Sequence, residues 1–347
     1  MREVPVGTAI RVRTPASSAN LGPGFDSIGL ALGVWDELSV TVVAEPGLRI
    51  EVSGSGADGV PRDESHLVYR SMARGLRELG VSVPAGLVLE ATNAVPHGRG
   101  MGSSATAIVS GVAAAQGLSV CAQAAGDGLA GVPGEVLDID LDAVNSLASE
   151  LEGHPDNASA TVYGGMTLSW SELDDLTSVS VGSTGPVSPR GAGEVGQAGE
   201  VGGRQTVTVR LPLHPDLTAV VFVPEATLAT HTARALLPER VLLRDAARNS
   251  ARAALLVEAA TRSPGLLVPA TRDWLHQEAR RPSYAASMDL VDRLRAQGHA
   301  AMISGAGPSV LVLTTTERVA GVRSGTDAVW RRLVPGIPER GVTVRRR

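Results

Sequence analysis

Residues 96–105 read Pro96-His97-Gly98-Arg99-Gly100-Met101-Gly102-Ser103-Ser104-Ala105, between an apolar segment and a run of small residues. The three glycines permit a tight turn whose backbone amides face a ligand. A helix predicted to start after them would add unpaired N–H groups and a partial positive charge. Hydroxyls at that helix start can bind a phosphate oxygen or a metal ion. The segment therefore favours a phosphate-binding loop, with a plain glycine-rich turn before an alanine-rich helix as the alternative.

The composition excludes several classes of protein that bind phosphate. All 31 basic residues are arginine, so the chain lacks the lysine of a P-loop, of a protein kinase and of a pyridoxal Schiff base. Ser103 stands where a dinucleotide fingerprint needs its third glycine. The net charge of -5 argues against nucleic acid or an anionic membrane as a partner. With one cysteine, Cys121, an intramolecular disulfide or a cysteine cluster for zinc is excluded.

The length of the chain limits the number of domains, and its apolar runs indicate where the protein is located. A chain of 347 residues is long enough for two domains, each with its own core. Its first residues lack the apolar core of a signal peptide, and no run approaches the ~18 unbroken apolar residues of a membrane span. We therefore expect a soluble cytoplasmic protein.

Hydrophobic periodicity predicts a mixture of strands and helices. Strands are predicted at residues 9–12, 38–43, 49–52, 86–91, 205–209, 218–223, 301–304 and 310–314. Helices are predicted at residues 66–79, 105–115, 140–151, 240–261 and 284–297, with Asp140 as a cap. Residues 171–205 are rich in Gly and Ser without periodicity, which predicts a flexible insertion. The most natural boundary falls near Gly165 and gives domains of residues 1–165 and 166–347.

Two further segments concentrate groups that can hold a small polar substrate. Residues 14–26, TPASSANLGPGFD, carry Asn20 and Asp26, which could bind an amino acid or amino alcohol or could simply form turns. Residues 150–157, ELEGHPDN, bring carboxylates, an imidazole and an amide together where a helix ends. Such a cluster favours a bound cation or substrate, although Asp156 or Asn157 could instead cap a helix.

Three more features complete the set of candidates. Residues 304–309, SGAGPS, predict either a hairpin turn or a loop that braces a phosphate site. Arg234 and Arg280 offer guanidinium groups that can bind a carboxylate in a bidentate manner, or that lie in solvent.

Taken together, these segments resemble the GHMP kinase superfamily of galacto-, homoserine, mevalonate and phosphomevalonate kinases. PHGRGMGSSA resembles the second motif of the superfamily, with Met101 in place of the usual leucine, and SGAGPS resembles the third. TPASSANLGPGFDSIGLAL is similar to the first motif of the homoserine kinase subfamily, and EGHPDN, LATHTARALLP and LHQEAR fit the same subfamily. The resemblance extends over about residues 9–315.

The resemblance implies an α+β fold in two domains. The N-terminal domain would resemble domain 2 of ribosomal protein S5 and bind ATP, and the C-terminal domain would be ferredoxin-like. The implied reaction transfers a phosphoryl group from ATP, with Mg²⁺, to L-homoserine, giving O-phospho-L-homoserine for threonine biosynthesis. A homodimer would suit the family. The alternatives are a kinase for another small alcohol such as mevalonate and a non-catalytic nucleotide-binding sensor on the same fold.

The resemblance also implies roles for individual residues. ATP would be held by the loop and the third motif: Pro96, His97, Gly98, Arg99, Gly100, Met101, Gly102, Ser103, Ser104, Ala105, Gly305 and Gly307. Mg²⁺ would take Ser104, or alternatively Ser103, and a glutamate, with Glu150 preferred over Glu152 because it matches the family position better. The substrate would contact Asn20, Asp26, His154, Arg234 and Arg280.

The reacting hydroxyl would lie near Asp156, Asn157, Thr230 and Arg234. Asn157 stands closest to the position where mevalonate-type relatives carry a catalytic aspartate. We therefore hypothesise that positioning and charge neutralisation replace a dedicated base, as a loose phosphoryl-transfer transition state permits. His66 stands where relatives tend to carry an asparagine near the adenine.

Overall fold

A computed structural model describes residues 1–129, 131–172, 205–228, 230–325 and 329–347. The predicted flexible insertion therefore lies outside the described residues, except for its ends, which belong to strands. The side chain of Thr230, predicted to lie near the reacting hydroxyl, also lies outside the described part of the chain.

The described residues contain every strand and helix that the periodicity predicts, several of them longer than predicted. They also contain strands at residues 166–172, 330–333 and 343–346 and short helices at residues 155–163, 230–234, 267–270 and 277–280 that the periodicity does not predict. The strands are β1 (Ala9–Ala19), β2 (Ile28–Val42), β3 (Gly47–Gly54), β4 (Gly86–Asn93), β5 (Met166–Glu172), β6 (Gln205–Leu211), β7 (Leu217–Pro224), β8 (Ala300–Ile303), β9 (Val310–Thr315), β10 (Trp330–Leu333) and β11 (Thr343–Arg346). The helices are α1 (Leu67–Glu78), α2 (Ser103–Gly126), α3 (Leu141–Glu152), α4 (Pro155–Tyr163), α5 (Thr230–Arg234), α6 (Leu243–Thr261), α7 (Leu267–Ala270), α8 (Gln277–Arg280) and α9 (Ala285–Ala296). The Asp140 carboxylate accepts hydrogen bonds from two backbone N–H groups of the first turn of α3, so the predicted cap is confirmed.

Among the described residues, the first sheet has seven strands in the order β11-β1-β2-β4-β3, with β5 pairing both β2 and β6. All its pairs are antiparallel except β3 with β4. Alternate residues of β2, among them Leu38, Val40 and Val42, face the core beneath α1 and α2. This alternation is the pattern from which the strand is predicted.

In the part of the chain that the structure describes, the second sheet has four antiparallel strands in the order β10-β7-β9-β8. The strand order is that of a ferredoxin-like unit, as expected. Both faces of β7 are buried: Ala219 and Val221 pack toward the first sheet, and Val220 and Phe222 pack toward α9. Two-sided burial explains why β7 is a continuous apolar run rather than an alternating one.

The two sheets do not divide at the expected boundary between residues 165 and 166. β5, β6 and β11 all extend the first sheet, although they follow that boundary in the chain. The C-terminal strand returns because Val344, 1% exposed, completes the core beside Ile10 and pairs with Val12. The α+β class is confirmed, whereas the strands of the first sheet come from both halves of the sequence.

Within the described residues, α2 is a helix long and apolar enough to cross a membrane, which the sequence does not predict because Ser, Gly and Gln interrupt its apolar run. Its most apolar window is 89% buried inside the molecule. Gly111 lies so close to α1 that a Cβ there would sit 2.3 Å from the backbone oxygen of Val68. Gly111 and the other small residues of α2 let this helix pack against α1, α3 and β1. It is therefore the central helix of the hydrophobic core that covers the first sheet.

A further hydrophobic cluster joins the two sheets. It combines Leu30 and Leu32 of β2 with Val221 of β7 and Leu311 of β9. Met101, from the glycine-rich loop, is fully buried in the same cluster. The loop is therefore anchored where the two sheets meet, and a cleft opens beside it.

Candidate active site

The glycine-rich loop has a backbone that favours glycine at three positions. Gly98, Gly100 and Gly102 have φ angles of 62°, 69° and 70°, in the left-handed region. A Cβ at Gly100 would lie 2.2 Å from the backbone oxygen of Ser304, and the φ of Gly100 is itself unfavourable for other residues. The turn therefore favours glycine at all three positions, and close packing also requires it at Gly100 and Gly102.

The start of α2 is open to an anion. Gly102 is its N-cap and provides no side-chain hydrogen bond. The first intrahelical backbone bond runs from the N–H of Thr106 to the oxygen of Gly102, at 2.8 Å. The N–H groups of Ser103, Ser104 and Ala105 precede that bond and so have no intrahelical acceptor. Together with the helix dipole they form an anion-binding end.

Arg99 fixes the loop instead of pointing a free charge at a phosphate. Its guanidinium donates to the backbone oxygens of Pro224 at 2.8 Å, His97 at 3.0 Å and Glu225 at 2.6 Å. The backbone N–H of Leu228 donates in turn to Gly98 at 2.8 Å. These bonds tie the loop to the end of β7 and to the segment that leads into α5.

Residues 304–309 form the predicted hairpin turn, between β8 and β9, and they also brace the loop. The Ser304 hydroxyl donates to the backbone oxygen of Gly100 at 2.6 Å and contacts the Ser18 hydroxyl at 2.8 Å. Gly305 and Ala306 line the cleft. Gly307 packs instead against Tyr284, where a Cβ would lie 2.8 Å from the ring. The predicted hairpin turn is therefore confirmed, and the same segment contacts the glycine-rich loop, whose binding of phosphate stays a prediction.

Asn20, Asp26 and Arg234 come together at one end of the cleft. The side-chain oxygen of Asn20 accepts from the backbone N–H of Asp26 at 3.0 Å, and the Asp26 carboxylate pairs with Arg234 at 2.7 Å. Asn20 and Asp26 have φ angles of 70° and 54°, an uncommon conformation outside glycine. Such backbone strain is typical of a segment held in place for binding.

Arg280 is a buried cation at the same end. It is 2% exposed, donates to the backbone oxygen of Ala233 at 3.1 Å, and lies 5.5 Å from the centre of the Phe25 ring. Its neighbour His276 is fully buried, and that burial lowers the pKa of the imidazole, which favours the neutral form. Among the described residues no carboxylate forms an ion pair with Arg280. A buried guanidinium without an anion is costly, so this position favours an anionic ligand.

The carboxylate and imidazole cluster forms around the start of α4. The Asp156 carboxylate, 1% exposed, accepts from His154 Nδ1 and from the backbone N–H of Asn157, both at 2.8 Å. Burial opposes the charge on His154, but the hydrogen bond and charge of Asp156 prevail and raise the pKa of the imidazole. Asp156 therefore holds two neighbours in place.

The side chain of Asn157 is bound by the Ser17 hydroxyl, which is itself bound by the Thr161 hydroxyl, and the sequence pattern singles out neither. The Ser17 hydroxyl donates to the side-chain oxygen of Asn157 at 3.0 Å. The Thr161 hydroxyl, one helical turn further along α4, donates to the Ser17 oxygen at 3.1 Å. Ser17 belongs to the first motif, but nothing in its spacing indicates this contact, which joins residues 140 positions apart.

Of the two glutamates expected near the metal, the structure places Glu152 in the cleft and the preferred Glu150 outside it. The Glu152 carboxylate accepts from the Ser104 hydroxyl at 2.6 Å, and burial raises the pKa of that carboxyl. Glu150 lies 3.5 Å from Arg74, with 60% of its side chain exposed. Two residues along a helix are about 200° apart, so only one of the two glutamates can face the cleft.

A second cavity of about 290 Å³ lies on the other side of the start of α2. Ser103 and Ser104 line both this cavity and the cleft, so the two spaces meet at the helix start. His66 is 6% exposed, its Nδ1 has no hydrogen-bond partner among the described residues, and burial lowers the pKa of its imidazole. His97 lines this cavity as well, and not the cleft.

Most of the predicted residues converge on the cleft, and a few do not. The cleft is lined by Asn20, Asp26, Gly98, Arg99, Gly100, Gly102, Ser103, Ser104, Glu152, His154, Asp156, Asn157, Arg234, Arg280 and Gly305. Met101 and Ala105 are fully buried and act through packing. Pro96 lies beside a separate surface groove behind the loop.

Family models and known proteins identify the class to which this fold and site belong. The model of the GHMP kinases N terminal domain matches residues 66–165, and that of the GHMP kinases C terminal domain matches residues 247–329. The chain belongs to the GHMP kinase family.

Individual relatives are more specific. The chain is 44% identical to a homoserine kinase of Streptomyces coelicolor over 338 residues, 97% of this chain and 94% of that protein. It is 43% identical to a homoserine kinase of Rhodococcus opacus over 325 residues, 94% of this chain and 93% of that protein. The crystal structure of a homoserine kinase from Cytophaga hutchinsonii matches with a TM-score of 0.73 and 25% identity, covering 97% of each chain. A mevalonate diphosphate decarboxylase of Staphylococcus aureus, 16% identical with a TM-score of 0.59 and coverage of 97% and 98%, shares the fold.

A buried carboxylate beside the second cavity makes stability depend on pH. Asp36 accepts from the backbone N–H groups of Ala94 at 2.7 Å and Val95 at 2.9 Å, yet burial raises its pKa to about 6. A carboxyl whose pKa is raised on folding costs stability progressively as pH rises from about 4 through 6. We expect Asp36→Asn, which keeps the acceptor oxygen, to be more stable than the parent at pH 8, by roughly 2 kcal/mol. Urea unfolding at pH 4.5 and pH 8 measures this.

The neighbouring exposed residue provides the control. Glu37 pairs with Arg13 on the surface, with 45% of its side chain exposed. Glu37→Gln should change the unfolding midpoint little at either pH. An Asp36→Asn gain of the same size at both pH values would contradict the assignment.

Proposed function

We propose that this GHMP kinase is a homoserine kinase, which transfers the terminal phosphoryl group of ATP to the side-chain hydroxyl of L-homoserine. The products are O-phospho-L-homoserine and ADP, a step toward threonine. The observation that carries the proposal is one cleft with an open helix start at one end and Asp26, Arg234 and buried Arg280 at the other. The similarity to homoserine kinases over nearly the whole chain supports it. The proposal includes a soluble cytoplasmic location.

The charges at the far end of the cleft suit a zwitterionic substrate. Arg280, which has no carboxylate partner among the described residues, would take the substrate carboxylate, with Arg234 beside it. Asp26 and Asn20 would face the substrate ammonium group. Mevalonate has a carboxylate but no ammonium group, so Asp26 would keep Arg234 as its cationic partner and gain no contact with a substrate cation.

The two connected spaces suit a nucleoside triphosphate. The base and sugar would occupy the cavity beside His66, whose Nδ1 atom has no hydrogen-bond partner in the described part of the chain and could bind a polar edge of the base. The phosphates would then pass over the amides of residues 98–104 at the start of α2, where the helix dipole and N–H groups replace the absent lysine.

The donor set beside the phosphate site fits Mg²⁺. No cluster of three or more ligating side chains exists among the described residues. Mg²⁺ commonly uses one or two protein oxygens together with phosphates and water, and Ser104 with Glu152 supply such a pair. The raised pKa of Glu152 indicates a carboxylate that a cation would stabilise in its charged form. When bound, the ion would neutralise charge on the phosphates.

The residues around the transfer point favour positioning over proton abstraction. Asp156 is engaged by His154 and by the backbone of Asn157. Asn157 carries an amide, which is not a base at physiological pH. Catalysis would come from alignment of the hydroxyl with the phosphoryl group and from stabilisation of charge.

A coupled assay of ADP release with Mg-ATP tests the substrate. We expect turnover with L-homoserine and little or none with L-threonine, L-serine or mevalonate. Preference for mevalonate would show a kinase for another alcohol. ATP binding without turnover of any of the four would favour a nucleotide sensor and would overturn the proposal.

Paired glutamate variants test the metal site. We expect Glu152→Gln to lower kcat by about 10²-fold or more, because it removes a charged ligand. Since the raised pKa of Glu152 leaves its carboxyl protonated at low pH, parent activity should fall on the acid side, and that dependence should weaken in the variant. Glu150→Gln, on the opposite face of α3, is the control and should stay within about twofold of the parent. Equal losses in both variants would contradict the assignment.

Asp156→Asn tests whether a dedicated base exists. The amide oxygen can still accept the two hydrogen bonds that Asp156 accepts, so we expect kcat within about tenfold of the parent. The decisive measurement is kcat at saturating ATP and L-homoserine. A loss greater than ~10³-fold would show that the carboxylate removes a proton.

A further inference from the structure

The side-chain amide of Asn157 can present either its oxygen or its NH₂ group to the cleft unless a neighbouring residue fixes its orientation. It stands in the first turn of α4 and lines the cleft. The torsion that turns a side-chain amide is broad and roughly two-fold, so the carbonyl and the NH₂ group could exchange places. With the carbonyl toward the cleft, the residue would repel phosphate oxygens, and with the NH₂ group toward it, the residue would donate to them.

Two buried hydroxyls supply that constraint. Ser17 Oγ accepts from Thr161 and donates its single proton to Asn157 Oδ1, at 3.1 Å and 3.0 Å. Both serine and threonine are fully buried. Because Ser17 binds the side-chain oxygen of Asn157, the NH₂ group is the part of the amide that can face the cleft.

The same serine also contacts the phosphate-binding loop. The backbone N–H of Ser17 donates to the oxygen of Met101 at 3.2 Å. A Cβ on Gly102 would lie 2.2 Å from Ser17 Oγ, so the residue before α2 has to be glycine for the hydroxyl to occupy its place. Ser17 therefore contacts both the amide of Asn157 and the loop that leads into α2.

We propose that Ser17, backed by Thr161, is a positioning residue that holds the Asn157 amide with its NH₂ group toward the transferring phosphoryl group. The inference rests on the proposed kinase function. Ser17 acts through Asn157, so its loss should affect kcat more than the binding of either substrate.

Kinetics of Ser17→Ala test this inference. Loss of one orienting hydrogen bond should lower kcat about tenfold, with the KM values for ATP and L-homoserine within about twofold of the parent. Thr161→Val, which keeps the shape but removes the hydroxyl, should show a smaller fall in the same direction. Thr161→Ser, which keeps the hydroxyl, should restore kcat.

Ser159→Ala is the matched control. Ser159 is a fully buried serine of the same helix, and its hydroxyl contacts Thr208 at 3.0 Å rather than Asn157. Its variant should retain the parent kcat. A fall in kcat as large as that of Ser17→Ala would show a general effect of losing a buried hydroxyl and would overturn the inference.

A double-mutant cycle separates positioning from structural support. In an Asn157→Ala background, Ser17→Ala should produce no further fall in kcat, because there is no amide left to orient. Multiplicative losses would overturn the inference. Failure of the parent chain to phosphorylate L-homoserine would instead overturn the proposed function, so the two failures are distinguishable.

Discussion

The site depends on how closely three backbone segments approach one another. Gly100 and Gly102 bring the loop so near to Ser304 and Ser17 that a Cβ at either position would lie 2.2 Å from an oxygen atom. Because of this contact, the Ser304 hydroxyl reaches the loop backbone and the Ser17 hydroxyl reaches Asn157. A larger residue at either glycine would separate the anion-binding helix start from the groups that act beside it.

Charge in the cleft is divided between two ends, without any lysine. Positive charge lies where a carboxylate would bind, at Arg234 and Arg280, while the phosphate end relies on backbone N–H groups and the dipole of α2. Arg99, the cation within the loop sequence, is engaged by three carbonyl groups. The helix start therefore replaces a mobile point charge with fixed donors, which need no reorganisation as charge moves during transfer.

The sequence predicts the parts of this structure that depend on local pattern. Apolar spacing locates α1, α3, α6 and α9, and the glycine spacing locates the loop, because both follow from a few neighbouring residues. The choice between Glu150 and Glu152 is not local in that sense. It depends on the rotation of α3 against α2, and a helix position that is off by two residues selects the opposite face.

The sequence pattern also does not predict contacts between residues that are far apart in the chain. Ser17 and Asn157 meet because β1 and α4 pack together, and Val344 reaches Val12 only after the chain has completed the second sheet. A hydroxyl-to-amide contact leaves no periodic signal, and a four-residue strand at residues 343–346 is too short to give one.

The proposed transfer would place the substrate hydroxyl among side chains that are already hydrogen-bonded to one another. The Asp156 carboxylate accepts two hydrogen bonds, Asn157 has its oxygen turned inward, and Glu152 lies beside Ser104 on the phosphate side. Both hydrogen bonds that Asp156 accepts fall on its Oδ1 atom and do not involve Oδ2, so the proposed mechanism is supported instead by the amide at position 157, which is not a base. A loose transition state, in which the bond to the leaving oxygen is largely broken before the new bond forms, makes the hydroxyl acidic only late in the step. Under the proposed mechanism, rigid alignment would contribute more to the rate than a nearby base, and a site built from backbone amides and fixed side chains suits such alignment.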